Sequence, residues 1–221
     1  MRLVGVVPAA GRASRLQPLG GSKELLEVGG RPVLDYVVER MRAAGAEEIR
    51  VVTRPDKHDV TEHARSLGAA VIEGEPPSSA ESVLLAVQGM PAEDIAMIGF
   101  PDTVWNPRTA FVRLVALVER GADVALGLFR GRDSEQLRRS DVVVLEATQV
   151  AAVEVKPLHP RSELLWGCAT ARVGALGGLA GREHPGELFA ELAAEGRVVG
   201  AVLEGEFLDV GTPSDLAEAR A

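Results

Sequence analysis

Apolar runs of strand length alternate along this chain with stretches whose apolar positions recur at helical spacing. The first run is Leu3–Pro8; others follow at Ile49–Thr53, Ala70–Glu73, Ile95–Gly99 and Val124–Phe129. Between them, Leu34–Ala44, Val60–Leu67, Ser82–Gln88 and Arg108–Glu119 read as amphipathic helices. Gly45, Gly68, Gly89 and Gly121 stand just past those helix ends, where a left-handed residue is wanted. This alternation predicts an α/β domain: a Rossmann-like, mostly parallel sheet flanked by helices.

After about Gly131 the rhythm changes. Val142–Leu145 and Val150–Val155 read as a hairpin about Ala147 and Thr148, and Leu165–Val173 as a further strand. A helix at Glu187–Ala194, strands at Val198–Leu203 and Phe207–Val210, and a closing helix from Ser214 complete the pattern. The charged stretch Arg130–Asp141 reads as a mobile, solvated loop. The whole, residues 1–221, is expected to be one domain with a small β-rich part: a half over 1–130 and a second half over 131–221.

Composition narrows the function. The chain has 221 residues, 46% of them hydrophobic, and a formal net charge of -8. An acidic balance argues against general nucleic-acid or membrane-surface binding, so any anion site is local. The single Cys168 excludes a disulfide framework and fits a reducing compartment. The start makes a poor signal peptide, and no run reaches the ~18–20 apolar residues of a membrane helix. A cytoplasmic protein is expected, with self-association left open. Of its 24 Lys and Arg residues, only Lys23, Lys57 and Lys156 are lysine. A retained lysine suggests a site that needs a compact ammonium.

Ligands of open parallel sheets bind at the carboxyl ends of strands. Three segments fall at such ends or on the hairpin: the loop after Pro8, "FPDTVW" after Gly99, and "VEVKP". The loop Gly11–Lys23 is neither a P-loop nor GxGxxG, since Lys23 follows Ser22 and Ala13 fills the second glycine position. Its small residues nonetheless expose backbone N–H groups beside Arg15 and Lys23, as a polyphosphate site requires. Arg12 is an outer contact at most. The four histidines read as surface residues, and Cys168 as core. Trp105 reads equally as a pocket border or as packing.

The segment "PAAGRASRLQPLGGSKELLEVGG" resembles the opening of the sugar-1-phosphate nucleotidylyltransferases, with Gly11, Ser14, Arg15, Leu16, Pro18, Lys23 and Leu25 matching and Ala13 departing. "GFPDTVW", "VEVKP", "LLWGCA" and "FLDVGTPSDL" resemble later segments of that family, in the same order. The resemblance implies the nucleotide-diphospho-sugar transferase fold and transfer of a nucleotidyl group from a nucleoside triphosphate to a sugar 1-phosphate, with Mg²⁺ as cofactor. It implies Asp102 and Asp209 as metal ligands, and Arg15, Lys23 and Lys156 as catalytic phosphate-neutralising groups. Ala10, Gly11, Ser14, Arg15, Lys23 and Glu81 would bind the nucleotide; Lys156, Gly167 and Glu154 would bind the sugar phosphate. Such a transfer needs no covalent enzyme intermediate, so positioning and charge neutralisation carry it.

dTTP or UTP is favoured, since the "KELL" and "FPDTVW" details resemble the thymidylyl- and uridylyl-transferring branches; the Glu81 carboxylate accepts only and suits an N–H of uracil or thymine. Glu81 would also suit guanine, and glucose 1-phosphate is the default acceptor. Val155 stands where the family has glutamate. Two other readings stay open: a methylerythritol-phosphate cytidylyltransferase, and a catalytically inactive nucleotide or sugar-phosphate sensor. The chain is expected to lack room for a β-helix acyltransferase domain.

Overall fold

The computed structural model describes residues 1–12 and 22–210. In chain order, β1 (Leu3–Pro8) leads to a small hairpin, β2 (Glu27–Val28) and β3 (Arg31–Pro32), then α1 (Val33–Ala43), β4 (Glu48–Thr53) and α2 (His58–Ser66). Next come β5 (Ala70–Glu73), α3 (Ser79–Val87), β6 (Ile95–Gly99), β7 (Thr103–Trp105), α4 (Ala110–Glu119) and β8 (Val124–Arg130). The rest is α5 (Ser134–Arg139), β9 (Val142–Glu146), β10 (Gln149–Glu154), β11 (Leu164–Arg172), α6 (Pro185–Ala194), β12 (Val198–Val202) and β13 (Phe207–Asp209).

Nine strands form one sheet in the order β5-β4-β1-β6-β11-β8-β12-β10-β9. β5, β4, β1 and β6 run parallel, as do β8 and β12; β11 is antiparallel between them, and the hairpin β9–β10 joins the far edge. Both faces are covered, so the strands read as near-continuous apolar runs rather than alternating ones. Val6, Ile98 and Leu126 pack on one face against Ala80 and Val83 of α3 and Phe189 of α6. Their neighbours Val7, Met97 and Ala125 pack on the other, against Leu34 and Met41 of α1 and Phe111 and Leu114 of α4. The period-2 geometry of a strand sends adjacent residues to opposite layers. Gly45, Gly68, Gly89 and Gly121 have φ of 90°, 70°, 75° and 114°, as their places after helices require.

Several elements depart from the expectation, the hairpin β2–β3 among them. The stretch Arg130–Asp141, read as a solvated loop, contains α5, whose Gln136 and Leu137 are buried. Asp133 caps it by accepting the Gln136 N–H at 2.8 Å, while Gln136 Oε1 accepts the Arg132 N–H at 2.7 Å. α3 starts one turn earlier than the apolar pattern suggests, because Ser78 Oγ accepts the Glu81 N–H at 3.1 Å and caps it. The short β7 pairs antiparallel with β13 apart from the main sheet. The closing helix expected from Ser214 lies outside the described residues.

Candidate active site

β1 and β6 are adjacent and parallel, so the chain leaves both strands on the same side of the sheet. There a cleft opens in two parts. One, about 420 Å³, is lined by Ala10, Gly11 and Arg12 after β1, Lys23, Ser82 of α3, and Asp102 after β6. The other, about 210 Å³, is lined by Asp102, Asp209, Lys156, Trp166, Gly167 and His184. Ser79, Phe100 and Asp102 line both parts.

Asp102 and Asp209 are 107 positions apart in the chain and are brought together by main-chain pairing. Asp209 on β13 stands opposite Thr103 on β7, and the Val210 N–H donates to the Asp102 carbonyl at 2.8 Å. Lys23 Nζ donates to Asp102 Oδ2 at 2.5 Å. Burial works against the Lys23 ammonium, but Asp102, with smaller help from Glu24 and Asp209, holds its pKa above the ordinary lysine value.

Across the cleft, Lys156 follows β10 in a left-handed conformation (φ 43°), and its Nζ lies 2.5 Å from His184 Nε2. An ammonium only donates, so Nε2 is the acceptor here, and the other ring nitrogen, Nδ1, lies 3.5 Å from Ser79 Oγ. Asp141 Oδ2 accepts the Trp166 indole N–H at 3.2 Å. Burial pushes the Asp141 carboxyl above its usual range, against the pull of Trp166, His184 and Lys156. Gly186 in the first turn of α6 makes room for this carboxylate, since a Cβ there would lie 2.2 Å from Asp141 Oδ2.

Ala10, Gly11, Lys23, Asp102, Lys156, Gly167 and Asp209 therefore line the cleft, while Ser14 and Arg15 lie outside the described residues. Glu81 and Glu154 stand apart from these linings. Glu81 sits three residues after its cap, and its Oε1 accepts the Gly181 N–H at 2.6 Å; it borders a separate apolar cavity with Leu84 and Leu85. Glu154 is held by Arg161, which donates through both its backbone N–H and its guanidinium, and it does not line the cleft. Gly167 does line it, but the space a side chain would take is filled by the Phe207 ring.

Some lining residues have no counterpart in the sequence reading. His184, expected at the surface, bonds Lys156, and Asp141 borders the same wall. Arg54 lines the larger part, tied to Glu75 at 3.1 Å. Trp105 is core: 1% exposed, edge-on to Phe111 and beneath the Arg40 guanidinium. Cys168 is core as expected, with its thiol pushed far up by burial.

Comparison with known proteins places the fold and the family. The chain is similar to the UTP–glucose-1-phosphate uridylyltransferase AglF of Haloferax volcanii, 27% identical over 230 residues, covering 97% of this chain and 93% of the relative. It is 32% identical over 136 residues to the bifunctional protein GlmU of Azorhizobium caulinodans, covering 59% of this chain. It spans between 30% and 51% of the length of the GlmU relatives it matches. A UDP-glucose pyrophosphorylase solved with UDP-glucose superposes with a TM-score of 0.83, covering 99% of this chain and 97% of that one. A glucose-1-phosphate thymidylyltransferase from Bacillus anthracis gives the same score over 98% and 93%. Both are 17% identical in sequence, a likeness of fold. Residues 5–194 match the MobA-like NTP transferase domain, and the chain belongs to that family.

Proposed function

We propose that this protein joins a nucleoside triphosphate, dTTP or UTP, to a sugar 1-phosphate, giving a nucleotide-sugar and pyrophosphate. The observation that carries this reading is one cleft with Lys23 and paired aspartates in its middle and Lys156 on its far wall. The larger part suits the nucleotide and the smaller the sugar phosphate, with the chain acting as one domain whose halves, 1–130 and 131–221, supply the two sides. A cytosolic setting, where triphosphates are available, fits this chemistry.

In this reading an oxygen of the sugar phosphate attacks the α-phosphorus, a new P–O bond forms, and the bond to the β-phosphate oxygen breaks. Both reactants are anions, so the barrier is set by bringing them together and by the charge on the departing pyrophosphate. Lys23, with Arg15 from the same sequence segment, neutralises the triphosphate, and Ala10 and Gly11 line the part of the cleft that takes it. Lys156 holds the sugar phosphate, kept in place by its contact with His184.

The residues present fit Mg²⁺. Asp102 and Asp209 offer hard oxygen donors on the lining of one part of the cleft, and Asp102 already carries a cation, the Lys23 ammonium. No group of three or more His, Cys, Asp or Glu side chains suited to a metal occurs among the described residues. Mg²⁺ commonly takes one or two carboxylates and completes its shell with phosphates and water. When bound, Mg²⁺ would polarise the phosphoryl oxygens and offset charge on the attacked phosphate.

The test is pyrophosphate release with Mg²⁺ over a matrix of nucleoside triphosphates, sugar 1-phosphates and methylerythritol phosphate. Release that requires one triphosphate and one sugar 1-phosphate is the expected result. Release with CTP and methylerythritol phosphate, or none with any pair, overturns the reading.

A further inference from the structure

Of the three lysines, Lys57 has no part in the chemistry above. It immediately precedes α2, its side chain is 13% exposed, and its Nζ donates to Glu24 Oε1 at 2.8 Å and to the Ala9 carbonyl at 3.0 Å. Glu24 is fully buried in the single 3-10 turn Lys23–Leu25. Two residues beyond Lys57, Asp59 takes the opposite flank of that turn. Its Oδ1 accepts the Ser22 hydroxyl at 2.8 Å and its Oδ2 the Ser22 N–H at 3.1 Å. Lys23 thus stands between two residues that are both anchored to the start of α2.

As a source of stability this arrangement is poor. Desolvating two charges offsets most of their attraction, and Glu24 Oε2 has no hydrogen-bond partner. Burial raises the Glu24 pKa even though Lys57 pulls it down. What the arrangement does supply is direction. Lys57 joins the exit of β1, where Ala10 and Gly11 begin one wall of the cleft, to the turn that carries Lys23. The two acceptors converge on one point, which suits a compact ammonium and not a planar guanidinium.

We propose that Lys57 is a positioning residue: with Asp59 it fixes the backbone on both sides of Lys23, so that the Lys23 ammonium is held facing the anionic oxygens of a polyphosphate in the cleft. The identity of that polyphosphate as a nucleotide rests on the function proposed above.

The experiment is a double-mutant cycle on the full chain, read by calorimetric binding of inorganic pyrophosphate with Mg²⁺, a probe that needs neither base nor sugar. K57M is expected to weaken binding about tenfold, and K23M at least as much. The double variant K23M/K57M should bind no more weakly than K23M alone, because Lys57 acts through Lys23. Glu24→Gln, which keeps the shape of the turn, should weaken binding in the same direction, and K57R should not restore it. Should K57M fail to fold, the E24Q–K23M cycle gives the same reading. Additive losses, an unaltered K57M or E24Q, a fully functional K57R, or a wild type that does not bind pyrophosphate would each overturn the proposal. If the wild type turns over no triphosphate–sugar pair while the coupling is observed, the function proposed above fails and the role of Lys57 stands.

Discussion

Lys23 Nζ lies 2.5 Å from Asp102 Oδ2 although the two residues are 79 positions apart, and the contact joins the loop after β1 to the turn after β6. The cleft thus has an internal cation resting on one of its two central carboxylates. A bound cation at Asp102 would have to share or take over that place, freeing the Lys23 ammonium for phosphate.

Asp102→Asn keeps the shape and the carbonyl that receives the Val210 N–H, and removes the charge. Turnover should fall by about 10²-fold or more, the scale of losing one well-placed electrostatic partner. Thermal unfolding should show a folded protein. Pyrophosphate release measured beside a melting curve checks this, and wild-type-like turnover would remove Asp102 from the mechanism.

Gly167→Ala tests how the core reaches the site. A Cβ there would lie 2.2 Å from Phe207 Cε2 and 2.9 Å from Phe129 Cε2, so the Phe207 ring must move. Phe207 opens β13, the strand that carries Asp209. Overpacking of this kind costs about 1–3 kcal/mol. Denaturant unfolding should show that loss together with reduced turnover, and the pair Gly167→Ala/Phe207→Leu should regain stability.

Asp94 gives a pH dependence with a definite sign. It accepts the Arg2 N–H at 2.8 Å, and with that guanidinium nearby its pKa is lowered from 3.8. A lowered carboxylate pKa contributes stability that is present above 3.8 and is lost as pH falls through the folded value. D94N should be less stable than wild type at neutral pH, and the gap should close in acid. Parallel melting curves from pH 7 to pH 2 would show it; a gap independent of pH would count against the link.

Cys168 is fully buried, and burial pushes its thiol well above the usual range. Thiol reagents act on the thiolate. The native protein should therefore resist a disulfide-exchange reagent at neutral pH and react at one site once unfolded. Rapid labelling of the native state would place Cys168 in a more open setting.

Much of the site was legible as local pattern. The strand ends before Gly11 and Asp102 mark the cleft, because a parallel sheet delivers its loops to one edge; Asp209 is added by β13, which pairs with β7 apart from that sheet. Two missed elements carried a local signal as well. Ser78 with Glu81, and Asp133 with Gln136, have the spacing of capping pairs, which gives the true starts of α3 and α5. The same spacing places Glu81 in the first turn of α3, where it reaches Gly181, 100 positions away.

His184 and Asp141 carried no such signal. Nothing adjacent to either residue announces Lys156 or Trp166, since those contacts arise where α6 packs beside β10 and where β9 meets β11. The run of apolar residues fixes which segments are strands and helices, because a 2-fold or 3.6-fold period is written into each segment separately. Which face a lone polar residue meets depends on how those segments are stacked. Glu154, beside Lys156 in sequence, is taken by Arg161 outside the cleft, whereas His184, 28 positions from Lys156, supplies its partner inside. The sequence by itself determined most of the strand–helix order and marked Lys23 and Lys156; only tertiary packing decided which neighbours hold them, because those distances are made between elements and not along the chain.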